Sequence, residues 1–357
     1  MLYYYLSNIE MRVLALLSPS FGLHKNIVEE IRRQGHEVVL YEDTFKPFDS
    51  LNHFGQGYLV RAFFSVFYNS KERFWKNQIK QDSELSKPFD FLFCINGVSF
   101  CKYLHNHLKS INPQIKCALY TWDSNKYYHF FTNYKFFDKI YTFDPLDARD
   151  CNVIFLPIYW MNLEKRDYKH KVFFIGSFHS DRFEIISKIV KQLDQEGIEY
   201  FIRLFVPDNL PKYSRIKLFL LNLINSGDYF RKQYSILTMP QRPAFVTCEP
   251  IDNDTFNYLL SESEIVIDTE QPQQNGLTGR MMMALGNGKK IITTNKAVKE
   301  TSIYDKERIL VVNRDNPIIS PVFIQKKWDE SCCCRLIETS RIDKWVETIL
   351  ALQDPTI

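Results

Sequence analysis

At 357 residues, 45% of them hydrophobic and 15% aromatic, the chain can bury a sizeable core and is long for one domain, so two are expected. A net charge of +3 is too small to point to nucleic acid, and no apolar run approaches the roughly 20 residues that a membrane-spanning helix needs. The eight cysteines show no C-x-x-C spacing, and the run Cys332-Cys333-Cys334 cannot easily share one tetrahedral metal. That argues against a disulfide framework or a zinc site and for a reduced, cytoplasmic protein. The stretch Met1 to Leu6 lacks the basic region and the small-residue cleavage site of a signal peptide.

Met11 to Ser18 is an unbroken apolar run of strand length. Pro19 to Gly22 then forms a loop, Lys25 to Gln34 has helical spacing, Gly35 reads as a C-cap, and Glu37 to Tyr41 is a second strand. Further strand-like runs follow at Phe89–Ile95, Cys117–Tyr120, Lys139–Phe143 and Val153–Leu156. Continuous hydrophobic strands separated by helical patterns predict a doubly wound parallel sheet with both faces covered. The charged stretch Asn162 to Lys171 interrupts the pattern and reads as a linker. After it the alternation restarts, with strands at Val172–Gly176, Tyr200–Val206, Ile265–Thr269, Lys290–Thr294 and Arg308–Val312. Helices are expected over Arg182–Gln195, near Asp254–Ser261 and over Ile342–Leu352. Two α/β halves in tandem leave an interdomain cleft as the natural ligand site.

The stretch from Gln274 to Asn295 is the most specific. It reads as a polar loop containing Asn275, Gly276, Leu277 and Thr278, then a short helix, a turn and a strand. A helix start offers free backbone N–H groups and a partial positive charge, which suits a phosphate. Arg280 in the first turn adds a side chain able to grip one at two points. The loop Gly176–Arg182 offers a similar exit from a strand, with the Gly176–Ser177 backbone and Arg182 as candidates and Ser180 or Asp181 as an ordinary N-cap.

Asp123 and Asp144 fall just beyond two strand ends, where open α/β sheets place ligands and where a buried carboxylate could act as general base. The alternative is structural: Asp123-Ser124 as a cap and Asp144-Pro145 as a turn opening. His24 stands at the first helix, a third candidate. Asp252-Asn-Asp254 has the spacing of a metal-binding D-x-D but fits an N-cap better, and His105-Asn-His107 lacks further ligands, so no metal is expected. Residues 54–80 carry eight aromatic and five basic residues against the one acid Glu72, and 211–234 is a basic helical pattern. Aromatic plus basic helices suit an anionic membrane surface, against the simpler reading that they pack onto their own domains.

Five motifs occur in order: Tyr120-Thr-Trp-Asp-Ser124, Phe137 to Asp147, Leu156-Pro157, Phe173-Phe-Ile-Gly-Ser177 with Arg182, and Gly276-Leu-Thr-Gly-Arg280 leading to Asn295. Over roughly residues 90 to 320 they resemble bacterial glycosyltransferases of the GT-B fold, specifically the CgeB-like and lipopolysaccharide- or capsule-biosynthesis members. The resemblance implies an α/β protein of two Rossmann-like domains facing across a cleft, with an acceptor domain over 1–160 and a donor domain over 161–357. It implies transfer of a sugar from a nucleotide-diphosphate donor to a saccharide or lipid-linked glycan acceptor, without metal or cofactor. Gly176, Ser177, Arg182, Asn275, Gly276, Leu277, Thr278 and Arg280 would hold the donor. Asp123, Asp144 or His24 would activate the acceptor in an inverting reaction; a retaining one needs no such base. Such an enzyme fits a cytoplasmic protein peripheral to the inner face of the plasma membrane. One position departs: the family's motif carries a Glu where this chain has Met283, and a thioether is a weak acceptor. Asp268 or Glu270 could substitute, or the chain is a weakened, binding-only relative. A two-domain dehydrogenase or epimerase is disfavoured, since no G-x-G-x-x-G follows the first strand.

Overall fold

The structure is a computed structural model and describes residues 10–19, 22–43, 70–125, 130–208, 227–272, 274–328 and 334–355. Among them the strands form two six-stranded sheets, parallel in every pairing. The chain divides into two compact units: one takes the described residues up to Leu156 and those from Ile342 onward, the other spans Pro157–Arg341.

The first unit contains β1 (Arg12–Leu17), α1 (Leu23–Arg33), β2 (Glu37–Glu42), α2 (Ser70–Gln81), β3 (Phe91–Ile95), α3 (Lys102–Ile111), β4 (Lys116–Thr121), β5 (Lys139–Thr142), α4 (Pro145–Cys151) and β6 (Ile154–Phe155). The sheet order is β2-β1-β3-β4-β5-β6. Val13 to Leu17 and Phe91 to Ile95 are buried throughout, as expected of strands covered on both faces. Gly35 ends α1 at φ 88°, where a side chain would be strained, and its N–H reaches Arg32 O while that of His36 reaches Ile31 O.

The second unit contains β7 (His170–Ser177), α5 (Arg182–Gln195), β8 (Tyr200–Phe205), α6 (Gly227–Leu237), β9 (Val246–Thr247), α7 (Asn253–Ser261), β10 (Ser263–Asp268), α8 (Gly279–Gly286), β11 (Lys290–Thr293), β12 (Ile309–Val311), α9 (Pro321–Gln325) and α10 (Arg335–Thr339). Its order is β12-β11-β10-β7-β8-β9. The direction of winding reverses between β7 and β10, which pair with Val172 opposite Ile265. Open α/β sheets bind ligands beyond the carboxyl ends of the strands at such a reversal.

The closing helix α11 (Ile342–Leu350) differs from its expected place in a domain running over 161–357. Its Trp345 is buried with ring centroids 6.0 Å from Phe93 and 4.8 Å from Tyr120, so its apolar face belongs to the first unit. Tyr141 Oη, also in the first unit, donates to Gln353 O just beyond the helix. Periodicity shows that a helix has an apolar face but not which sheet covers it.

Candidate active site

At the reversal point of the second sheet, β7 ends in Gly176 and Ser177 and β10 ends in Asp268. Gly176 is required by crowding. A Cβ there would stand 2.8 Å from Arg280 Nη2, 2.8 Å from Phe174 Cζ and 3.4 Å from Arg182 Nη1. Two guanidiniums therefore converge on a bare backbone at the strand end. Both lie near the Phe174 ring, at 4.7 Å from its centroid for Arg280 and 5.9 Å for Arg182.

Arg182 starts α5 and is only 7% exposed. Its Nε donates to Thr269 Oγ1 at 2.8 Å, Nη2 to Thr269 O at 2.5 Å and Nη1 to Ser177 O at 2.6 Å. Every one of these acceptors is neutral. Burial, with the Arg280 charge beside it, pushes the Arg182 guanidinium down to about 9. A buried cation hydrogen-bonded only to neutral groups is costly unless an anion joins it.

Arg280 sits in the first turn of α8. Its Nη1 lies 3.2 Å from Asp268 Oδ1, while its buried Nε has no partner. Burial lowers its pKa as well, against the pull of Asp268. Thr278 caps the helix: its Oγ1 accepts from Met281 N at 3.1 Å and donates to Asp268 Oδ1 at 2.6 Å. The second Asp268 oxygen is buried and unpartnered. Asn275, Gly276 and Leu277 support the loop from behind. The Asn275 and Gly276 carbonyls each accept from Asn295 Nδ2 at 3.0 Å, and Leu277 is fully buried.

Two further residues of this region carry no local motif. Arg314, just beyond β12, binds Asp181 with two bonds of 2.7 Å and reaches Glu270 Oε1 at 2.5 Å and Glu270 O at 2.9 Å. It ties the loops after β7, β10 and β12 together. His179, in the loop after β7, has its ring among the charges of Arg182, Arg280 and Arg314. A basic residue just past a strand end was the available signal for Arg314; for His179 it was only membership of the Gly176–Arg182 loop.

Met283 makes a packing contact with the chain before β7. It is buried, its sulfur accepts from Met161 N at 3.3 Å, and Asn287 one turn on bonds Met161 O and Leu163 N at 2.9 and 2.8 Å. Asp268 is shared between Thr278 and Arg280, and Glu270 between Arg314 and Thr294. Gly286 completes this helix contact, since a Cβ there would sit 2.0 Å from Trp160 Cδ2.

In the first unit, Asp144 is corrected from a catalytic candidate to a structural cap. It is fully buried; its Oδ1 accepts from Leu146 N at 2.9 Å and Asp147 N at 3.3 Å, and its Oδ2 from the Ser124 hydroxyl. No face of this carboxylate is left for an external hydroxyl. Asp123 is half-buried at the end of β4, with its Oδ2 held by Asn96 Nδ2 at 2.8 Å. Asn96 adopts φ 59°, and its own Oδ1 accepts from Trp122 N at 3.1 Å. His24 lies within α1 and is 4% exposed, with Nε2 3.9 Å from Glu42 Oε1 and Nδ1 unpartnered. Burial lowers its pKa, only partly opposed by Glu42.

Asp252 caps α7 through Thr255 N at 2.8 Å, and His107 Nε2 lies 2.9 Å from Leu85 O. Among the described residues no group of three or more His, Cys, Asp or Glu side chains is placed to hold a metal. Most of 54–80 and 211–234 lies outside the described residues. In the described part Trp75 is buried, with Nε1 donating to Ser99 O at 2.9 Å, and Lys232 pairs with Glu184 at 3.2 Å. Among the described residues no helix is long and apolar enough to cross a membrane.

No protein-family model and no curated sequence matches the chain. Solved structures do. A UDP-forming α,α-trehalose-phosphate synthase from Burkholderia xenovorans superposes with a TM-score of 0.55 at 10% identity, covering 98% of this chain and 99% of that one. A structure from E. coli described as trehalose-6-phosphate bound with UDP-2-fluoro glucose gives 0.52 at 9% identity, over 97% and 99%. The lipopolysaccharide outer core galactosyltransferase WaaB gives a looser 0.45 at 11% identity, over 97% and 96%. With two parallel six-stranded sheets in two Rossmann-like domains, the chain has the GT-B glycosyltransferase fold.

Proposed function

We propose that the protein is a glycosyltransferase that moves a sugar from a nucleotide-diphosphate donor to a saccharide or lipid-linked glycan acceptor. We place it with the CgeB-like enzymes of bacterial lipopolysaccharide or capsule synthesis, in the cytoplasm and peripheral to the membrane. The observation that carries the reading is Arg182: a buried guanidinium with neutral partners only, beside Arg280 and the bare backbone of Gly176, at the sheet's reversal point. A diphosphate at that point would give Arg182 an anionic hydrogen-bond partner, since Asp268 and Glu270 act on it only at a distance and are bonded to Arg280 and Arg314. In the transfer step the acceptor oxygen bonds to the anomeric carbon as the C–O bond from that carbon to the β-phosphate breaks, and the two guanidiniums stabilise the leaving diphosphate. An inverting reaction takes the acceptor proton on Asp123, which Asn96 holds in place. Scanning UDP, GDP, CDP and ADP for thermal stabilisation, with Arg182→Met as control, tests this and names the base. Stabilisation by none of the four would end it.

A second reading has its own observation. Met283 supplies a backbone contact where the resembled family has an acid. A donor that binds but is neither hydrolysed nor transferred would mark a binding protein. Met283→Glu restoring turnover would show that only this acid is lacking.

A further inference from the structure

The loop after β7 holds one ring that the diphosphate reading leaves unassigned. His179 O accepts from Arg182 N at 3.1 Å, and Ser180 follows at φ 47°, in the left-handed region. The loop is thereby tied to the first turn of α5. On the ring, Nδ1 lies 3.0 Å from Ser180 Oγ, while Nε2 makes no hydrogen bond among the described residues and is not closed off from solvent. The charged groups around it come from several elements: Arg182 and Asp181 from its own loop and helix, Arg280 with Asp268 from α8 and β10, Arg314 with Glu270 from the strand ends. Lys232 on α6 reaches Ser180 O at 3.2 Å and is paired with Glu184.

We propose that His179 completes the anion site, its free ring nitrogen binding a diphosphate oxygen and the ring taking up a proton from solvent as the anion arrives. The inference rests on the reading that Arg182 and Arg280 hold the donor diphosphate, and it goes beyond it by naming a further ligand and a proton. Burial and the three guanidiniums push the free ring down to about 3, so it enters the complex neutral. A bound diphosphate beside Arg182 and Arg280 offsets those positive charges, which favours imidazolium. By linkage, affinity then rises as pH falls toward the bound-state value, while the free protein stays unprotonated until far lower pH. Glu270 is the competing proton acceptor, because burial already raises its carboxyl.

Nucleotide sugars are the suitable probes, since both phosphates of their diphosphate are esterified and neither titrates near neutrality. UDP-glucose, GDP-mannose and ADP-glucose are titrated calorimetrically into the full chain at about pH 5.5 and about pH 8, values on either side of the ordinary histidine range. Two buffers of different ionisation enthalpy are used at each pH. The expected result is net proton uptake at the lower pH only, with affinity at least about threefold tighter there. Glu270→Gln should keep the uptake and His179→Gln should lose it. A ligand that binds the unaltered protein without uptake, or uptake that survives in His179→Gln, overturns the role of His179 and leaves the diphosphate site standing. Failure of all three sugars to bind overturns this inference, and the diphosphate reading falls with it only if none of UDP, GDP, CDP and ADP binds either. Should His179→Gln not fold, the unaltered chain and Glu270→Gln still decide: uptake kept in both supports His179, and uptake lost in Glu270→Gln moves the proton to Glu270.

Discussion

Arg182 and Arg280 meet over Gly176: one guanidinium lies 3.4 Å and the other 2.8 Å from where a β-carbon on that glycine would be. One arginine starts the helix after β7 and the other the helix after β10, so the pair spans the reversal point of the sheet. Only a glycine at the strand end lets them approach. The first prediction follows directly.

Gly176→Ala should weaken nucleoside diphosphate binding about tenfold and lower stability by about 2–3 kcal/mol, because the new methyl meets the fully buried Phe174 ring as well as the end of the Arg280 side chain. Calorimetric titration and urea unfolding measure the two effects separately. Unchanged affinity would mean the guanidiniums are not held for a ligand.

Arg314→Met should cost about 2 kcal/mol of unfolding free energy, since it leaves Asp181 and Glu270 without their cation in a partly solvated site. The pH dependence has a definite sign. Burial pushes the Asp181 carboxyl up, but the Arg314 fork outweighs it and the net pKa is lowered. A lowered acid pKa stabilises above the unfolded value and loses that contribution as pH falls through the folded one. The stability gap between the two proteins should therefore narrow below about pH 4, near the ordinary aspartate value. A gap that widens there would contradict the assignment.

Asp123 and Asp144 should separate cleanly. Asp144→Ala removes a buried cap and should cost about 1–2 kcal/mol while leaving kcat of the folded enzyme unchanged. Asp123→Asn should do the reverse, lowering kcat by about 10²–10⁴ in an inverting enzyme with little change in melting temperature. Transfer kinetics at fixed folded fraction decide it. An active Asp123→Asn enzyme would point to retention or another base.

Gly286→Ala should destabilise by about 3 kcal/mol, because the new methyl meets the Trp160 ring in a buried contact. A melting curve suffices to check it.

Much of this was legible in the chain. Strands such as Val13–Leu17 and Ile265–Asp268 announce themselves as continuous apolar runs, because both faces of a parallel strand are covered. Arg182 and Arg280 stand at helix starts, Arg280 directly after Gly279 and Arg182 six residues after Gly176, a local pattern. The pairing of Arg314 was not legible, because its partners Asp181 and Glu270 lie 133 and 44 residues away. Asp144 could not be told from Asp123 by position, since each follows a strand end. What separates them is the Ser124 hydroxyl and the helix N–H groups that close around one of them. Met283 was legible as a missing acid, but its contact with Met161 spans 122 residues.

Titration of UDP, GDP, CDP and ADP into the unaltered protein and into Arg182→Met, with melting curves to confirm folding, tests the central claim most directly. One nucleotide should bind the unaltered protein, and the substitution should weaken it about 10- to 100-fold, the loss expected for charge-assisted hydrogen bonds to a phosphate. Equal affinity in the two proteins, or no binding of any of the four, would contradict the assignment of Arg182 to a donor diphosphate.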